Sequence, residues 1–256
     1  MRPDRLFVKT RETAPPGFFA AEAAGLAWLA EAADGGGVAT LRPVSVDAQR
    51  LVLPYVHQRT PTSAQAEAFG LALALTHRSG APHHGSPPRG WTADGWIATL
   101  PLPHVSQGPG AGWGAFYAAH RVAPFARSAG LADDPSVRRL CDRLAAEDEE
   151  LVGPAEPPSR LHGDLWSGNV LWSADGAVLV DPAAHGGHRE TDLAMLALFG
   201  LPHLDRVLAA YDETAPLSEG WRDRVALHQV HPLLVHAALF GGAYGSQAVA
   251  AARRYV

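Results

Sequence analysis

The run His162–Gly163–Asp164–Leu165–Trp166–Ser167–Gly168–Asn169, followed further on by Asp181, joins a carboxylate that can accept a proton to two hard oxygen donors. Phosphoryl transfer asks little covalent work of a protein. A group must orient and deprotonate the acceptor hydroxyl, and oxygen ligands must hold the magnesium that bridges the phosphates. Asp164 suits the first task, and Asn169 and Asp181 suit the second. Magnesium keeps several waters, so one amide oxygen and one carboxylate, completed by phosphate oxygens, suffice. An Asp in such a turn could instead cap a helix or brace a loop, but that reading leaves the spacing of Asn169 and Asp181 without a purpose.

These side chains need elements that bring them to one place. Asn169–Trp172 and Ala177–Asp181 read as strands, joined by a turn with Asp175–Gly176 at its tip. Such a hairpin puts Asp164, Asn169 and Asp181 at one end. Far upstream, Arg5–Lys9 is a short β-like run, and Phe18–Ala33 is a helix whose Phe18, Phe19, Leu26 and Leu29 can share a buried stripe. Gly35–Gly37 ends that helix, and Leu41–Val46 and Leu51–Val56 read as a second hairpin around Asp47–Arg50. Residues 1–56 therefore predict a small β-rich lobe with one helix. Residues 57–256 predict a mostly helical lobe, with helices over 63–77, 113–129, 135–151, 192–199 and 221–251 and with Pro232 marking a kink or boundary. The stretch 83–114 is rich in Gly, Pro and Trp without a sustained period, and reads as loop with short irregular elements.

With 47% hydrophobic and 18% charged residues, the 256-residue chain has the make-up of a globular protein. A formal net charge of −5 offers no basic field for nucleic-acid phosphates, so nucleic acid is excluded as a partner. The single cysteine, Cys141, excludes an internal disulfide and falls on the apolar rhythm of Val137, Leu140 and Leu144, as a small packed hydrophobe. No charged-then-apolar leader and no long apolar run occurs, and a cytoplasmic, membrane-free protein, monomeric by preference, is expected. His83, His84, His185 and His188 invite a zinc site, but no carboxylate or thiolate completes a recognisable ligand set.

The string LHGDLWSGNV, then DPAAHGGHRETDLAMLALFG, resembles the fructosamine kinases, or ketosamine 3-kinases. These belong to the aminoglycoside phosphotransferase and choline kinase superfamily. The ending LFGGAYGSQAVAAARRY is similar to that family's C-terminal helix. The resemblance implies an α+β, protein-kinase-like two-lobe fold and ATP-dependent phosphorylation of a sugar hydroxyl on a ketosamine. The partner would be a glycated small amine or a glycated protein side chain, and the cofactors ATP and Mg2+. Asp164 would be the base, with Asn169 and Asp181 on the metal. Lys9 matches the strand lysine that holds the nucleotide phosphates, and Glu22 the helix glutamate that pairs with it. Leu51–Val56 would form the hinge along adenine, with Leu53 deepest, the Pro54 carbonyl and the Val56 N–H reading the base. His162 would be loop scaffold, and Asp192 would accept bonds from the loop backbone. Trp166 could wall the sugar or pack in the core. His188 and Glu190 could read polar groups of the substrate or organise the loop that follows the metal aspartate.

The glycine-rich turn that precedes the lysine strand in such folds has no counterpart, since eight residues stand before Lys9 and none is glycine. A truncated N-lobe with a poorly covered lysine strand is therefore expected. Two other readings stay open: a nucleotide-binding protein of kinase fold with impaired catalysis, and a phosphotransferase acting on an aminoglycoside or another amino sugar.

Overall fold

The computed structural model describes residues 5–106 and 112–256. Its N-terminal part holds β1 (Leu6–Thr10), α1 (Phe18–Ala33), β2 (Ala39–Thr40), β3 (Ser45–Val46) and β4 (Arg50–Pro54). β1, β4 and β3 form an antiparallel sheet in that order. The predicted hairpin around Asp47 is present, and Asp47 accepts bonds from the Gln49 N–H and the Arg50 side chain. Its first strand is shorter than predicted. Ala39–Thr40 leaves to pair in parallel with Val178–Leu179, and Pro43, without an N–H, interrupts the run between the two pieces. β1 has a single neighbour, β4, among the described residues, and Leu6, Phe7 and Val8 are each about half exposed.

The rest is mostly helical. α2 (Ser63–Arg78) starts with a capping box, in which Thr62 and Gln65 each accept the other's backbone N–H. The Gln65 amide continues to the Ser173 carbonyl, pinning the helix start to the turn at Ser173–Gly176. β5 (Gly95–Ile97) and β6 (Leu100–Leu102) form a small antiparallel hairpin inside the stretch read as loop. α3 (Trp113–Tyr117) runs through a π-helical turn (Ala118–Val122) into α4 (Ala123–Ser128). α5 (Pro135–Ala145), capped by Asp134, stops short of the predicted Leu151, and α6 (Glu149–Val152) restarts. The break has a cause: Glu147 turns out of the helix at φ +52° and accepts the Ala115 N–H at 2.8 Å, capping α3.

β7 (Ser159–Leu161) pairs with β10 (His185–Gly187), and β8 (Val170–Ser173) with β9 (Gly176–Leu179). The chain closes with α7 (Glu190–Phe199), α8 (Leu204–Thr214), α9 (Trp221–Phe240) and α10 (Tyr244–Ala252). One apolar core lies among α3–α5, α9 and α10, and a second joins α2 and α8 to the β8–β9 hairpin.

Of the two outcomes expected at Pro232, a kink or a boundary, the boundary does not occur there. α9 continues through it to Phe240 and breaks at Gly241–Gly242, both in the left-handed region. Proline leaves the carbonyl four residues back without its donor. Here the buried Tyr117 hydroxyl lies 3.1 Å from the His228 carbonyl and 3.0 Å from that of Leu227, and accepts the His231 N–H at 3.1 Å. One side chain thus stands in for the missing bond. Replacing Tyr117 by Phe should therefore cost about 1–3 kcal/mol by stranding buried backbone groups. Thermal unfolding followed by circular dichroism checks this, and an unchanged midpoint would show that the hydroxyl is dispensable.

Candidate active site

The loop that carries Asp164 begins where β7 ends. Gly163 sits at φ +82°, and a side chain there would collide with the Ala183 carbonyl, so the turn requires glycine. The buried His162 ring bridges the loop. Its Nδ1 accepts the Asp164 N–H at 3.2 Å and its Nε2 donates to the Val180 carbonyl at 2.8 Å. Burial lowers its pKa, so the ring is neutral and acts as scaffold. Asp192, in the first turn of α7, accepts the N–H groups of His162 at 2.7 Å and Gly163 at 3.0 Å.

Asp164 emerges from this turn. Asn169, in a 3-10 turn ahead of β8, donates Nδ2 to the Asp164 carbonyl at 2.8 Å and to its Oδ2 at 3.1 Å. That leaves the amide Oδ1 for another partner. Burial raises the Asp164 pKa to about 7 against the Asn169 bond, and the nearby charges of Asp192 and Asp181 push the same way. Such a carboxyl exchanges a proton near neutrality.

Asp181, just past β9, adopts a left-handed conformation at φ +55°, rare for a residue with a side chain. It accepts Lys9 Nζ at 3.0 Å through Oδ1 alone, leaving a half-exposed carboxylate with a free oxygen. Lys9 also donates to both Glu22 oxygens, at 2.7 and 2.8 Å. Burial works against the ammonium, but Glu22 and Asp181 outweigh it and raise the Lys9 pKa. Residues from β1, α1, the catalytic loop and the end of β9 thereby meet in one ionic chain.

They line a cleft of about 300 Å3. Its remaining wall is largely apolar and aromatic, from Phe18 on α1, Trp96 on β5, Trp166 on the loop, and Leu239 and Phe240 at the end of α9. The Phe18 and Trp96 rings lie 5.9 Å apart. Trp166 is 40% exposed and rests edge-on against Phe199, so it faces the cleft rather than the core. Trp96, Phe18, Leu239 and Phe240 were not among the predicted site residues. β5 is three residues long, too short to carry a readable period, and Phe18 sat on the stripe assigned to the core.

His188 and Glu190 lie elsewhere. Glu190 is buried beneath α9, bound by Arg224 at 2.6 and 3.0 Å, with His228 Nε2 at 3.3 Å. Burial opposes its ionisation, but His228 and Arg224 hold its pKa at about 2. His188 is buried against Trp113 and His228, neutral, with its pKa lowered to about 3 by burial. Neither lines the cleft, and both organise the segment after Asp181. The histidines that meet a carboxylate at metal-ligand spacing among the described residues are thus His188 and His228, around Glu190, rather than the four considered from the sequence. Leu53 is buried with Phe19, Leu26 and Leu51, and Pro54 ends β4 opposite Leu6. Neither these two nor Val56 is among the residues lining the cleft around Asp164.

The fructosamine kinase family model matches residues 2–256. A probable ketoamine kinase of Thermus thermophilus is 36% identical over 249 residues, covering 95% of this chain and 84% of that protein. The crystal structure of a candidate fructosamine-3-kinase from Thermobifida fusca is 49% identical and superposes with a TM-score of 0.86 over 97% of this chain and 84% of that one. A macrolide 2'-phosphotransferase from Brachybacterium faecium, 15% identical over 96% of this chain and 83% of its own, shares the fold at a TM-score of 0.60. No helix among the described residues is long and apolar enough to cross a membrane. With its kinase-like fold and a family match along nearly its whole length, the chain belongs to the fructosamine kinase family, whose members are small-molecule kinases acting on amino sugars.

Proposed function

We propose that the protein transfers the γ-phosphoryl group of ATP to the 3-hydroxyl of a ketosamine such as a fructosamine or ribulosamine, with Asp164 as base. The observation that carries this reading is a carboxyl with pKa about 7 set beside the Lys9–Glu22–Asp181 chain, in a cleft walled by aromatic rings. Aromatic faces suit the apolar faces of a sugar. A polycationic aminoglycoside would call for more free carboxylates than this wall offers, since Glu22 is already engaged by Lys9.

In its ionised form Asp164 orients the hydroxyl and accepts its proton. The hydroxyl oxygen forms the new bond to the γ-phosphorus while the bond to the β,γ-bridging oxygen breaks, and ADP leaves with that electron pair. Lys9 offers its ammonium to the phosphates, held in place by Glu22. The amide Oδ1 of Asn169 and the half-exposed Asp181 carboxylate form a hard-oxygen donor pair that fits magnesium. When bound, that ion neutralises phosphate charge.

Four outcomes are expected. The kcat/KM for a fructosamine should rise with pH through an apparent pKa of about 7, because below it Asp164 is protonated and cannot accept the proton. A flat profile between pH 5.5 and 8.5 would assign proton transfer elsewhere. Asp164→Asn should lower turnover by roughly 10²–10⁴-fold. It should also stabilise the fold at pH 8: the folded pKa lies above the unfolded value of about 3.9, so ionisation costs the native state stability between about pH 4 and 7. The gain in melting temperature should vanish as pH falls towards 4. Trp166→Ala should raise the KM for the ketosamine about tenfold with the KM for ATP unchanged. Equal KM values for both substrates in variant and parent would remove Trp166 from the acceptor site.

A further inference from the structure

His236 lies on α9 one turn before Phe240 and shares with Leu239 the helix face that closes the cleft. Together with Asp164, the same residue borders a smaller space behind the loop, which sets it beside the base. Its Nδ1 meets the Pro232 carbonyl of its own helix at 2.8 Å, and a carbonyl only accepts, so Nδ1 carries the hydrogen. In the neutral ring Nε2 therefore holds a lone pair. That nitrogen is not buried and meets no donor among the described residues. The ring is held in place by aromatic neighbours, with centroids 4.7 Å from Phe199, 5.1 Å from Tyr244 and 5.6 Å from Phe240.

The other acceptor side chains lining the cleft are committed. Glu22 and one oxygen of Asp181 hold Lys9, the free Asp181 oxygen and the Asn169 Oδ1 form the hard-oxygen pair, and Asp164 takes the proton of the reacting hydroxyl. His104 donates Nδ1 to the Ala93 carbonyl and buries its Nε2 against Gly95. His236 Nε2 is thus the acceptor left open. A ketosamine differs from its parent sugar by one amine, cationic at neutral pH, whose N–H groups need acceptors. Only C1–C3 of the sugar separate that amine from the reacting hydroxyl, so the group that binds it must stand near the base. A cation beside an aromatic face gains further, and the Phe240 ring next to His236 is 68% exposed.

Resting on the ketosamine reading of the cleft, we propose that His236 is the residue that recognises the ketosamine nitrogen. Its Nε2 accepts an ammonium N–H while the Phe240 ring lies beside the charge. The same contact separates a ketosamine from the bare ketose, which offers a neutral hydroxyl at that carbon.

Isothermal titration calorimetry at pH 7.5 with 1-deoxy-1-propylamino-fructose and its ether analogue 1-O-propyl-fructose reads this recognition without turnover. The parent protein should bind the amine about tenfold more tightly than the ether. His236→Phe keeps a ring and removes the acceptor. It should weaken the amine about tenfold and leave the ether within about twofold, and His236→Gln, which supplies an acceptor oxygen, should recover part of the preference. A merely structural role would move both ligands together. Equal Kd values for amine and ether in the parent, or no binding of the amine, overturn the assignment without recourse to any variant, and so does a parallel loss of both ligands in His236→Phe. Phosphoryl transfer is scored separately: discrimination without transfer removes the assigned reaction and keeps the role of His236, whereas transfer without discrimination does the reverse.

Discussion

Asp192 sits in the first turn of α7 with its carboxylate fully buried, and it accepts from the backbone of His162, the backbone of Gly163 and the ring of His77 at 3.2 Å. A carboxylate without partners at this depth would cost several kcal/mol. Three donors and the helix N-terminus offset that cost and hold the pKa below its usual value despite burial. Because two of those donors are consecutive backbone groups, the charge dictates the path of the chain into Asp164. His77 extends the connection to Tyr211 at 2.8 Å, so the α2–α8 core and the loop that carries Asp164 share one hydrogen-bonded network.

The same charge has a second effect. Burial is the main cause of the Asp164 pKa of about 7, and the charges of Asp192 and Asp181 push the same way. The group that fixes the geometry of the loop thereby also adds to the proton affinity at its tip. On the opposite side of the cleft, Lys9 balances Glu22 and Asp181. It links the three-stranded sheet and α1 to the end of β9 by charge, while β2 links them to β9 by backbone pairing. Two different forces hold the small lobe in register with the β8–β9 hairpin.

Elsewhere the protein buries polarity to fix backbone rather than to do chemistry. Glu190 is gripped by Arg224 and lies beside His228 beneath α9, and Tyr117 repairs the bond that Pro232 cannot make. Each such group is costly unless fully paired. Side chains with the chemistry of a substrate contact, His188 and Glu190 among them, are used here as internal struts.

Much of the site could be read from order along the chain. The loop, the Asp175–Gly176 turn and the two short strands are consecutive, and hydrogen bonding across a tight hairpin leaves little freedom in where Asp164, Asn169 and Asp181 end up. The Lys9 and Glu22 pairing was legible through the resemblance, and most helices through their apolar rhythm. Tertiary structure decided what periodicity does not encode. The aromatic wall draws Phe18, Trp96 and Phe240 from α1, β5 and α9, far apart in sequence and two of them in segments too short or too ambiguous to assign a face. Whether Glu190 meets a substrate or Arg224, and whether Pro232 breaks a helix or finds Tyr117, depends on a partner over thirty residues away or more. A sequence states locally which polar groups must be satisfied; only the fold settles by whom, because burial sets the cost of leaving them alone.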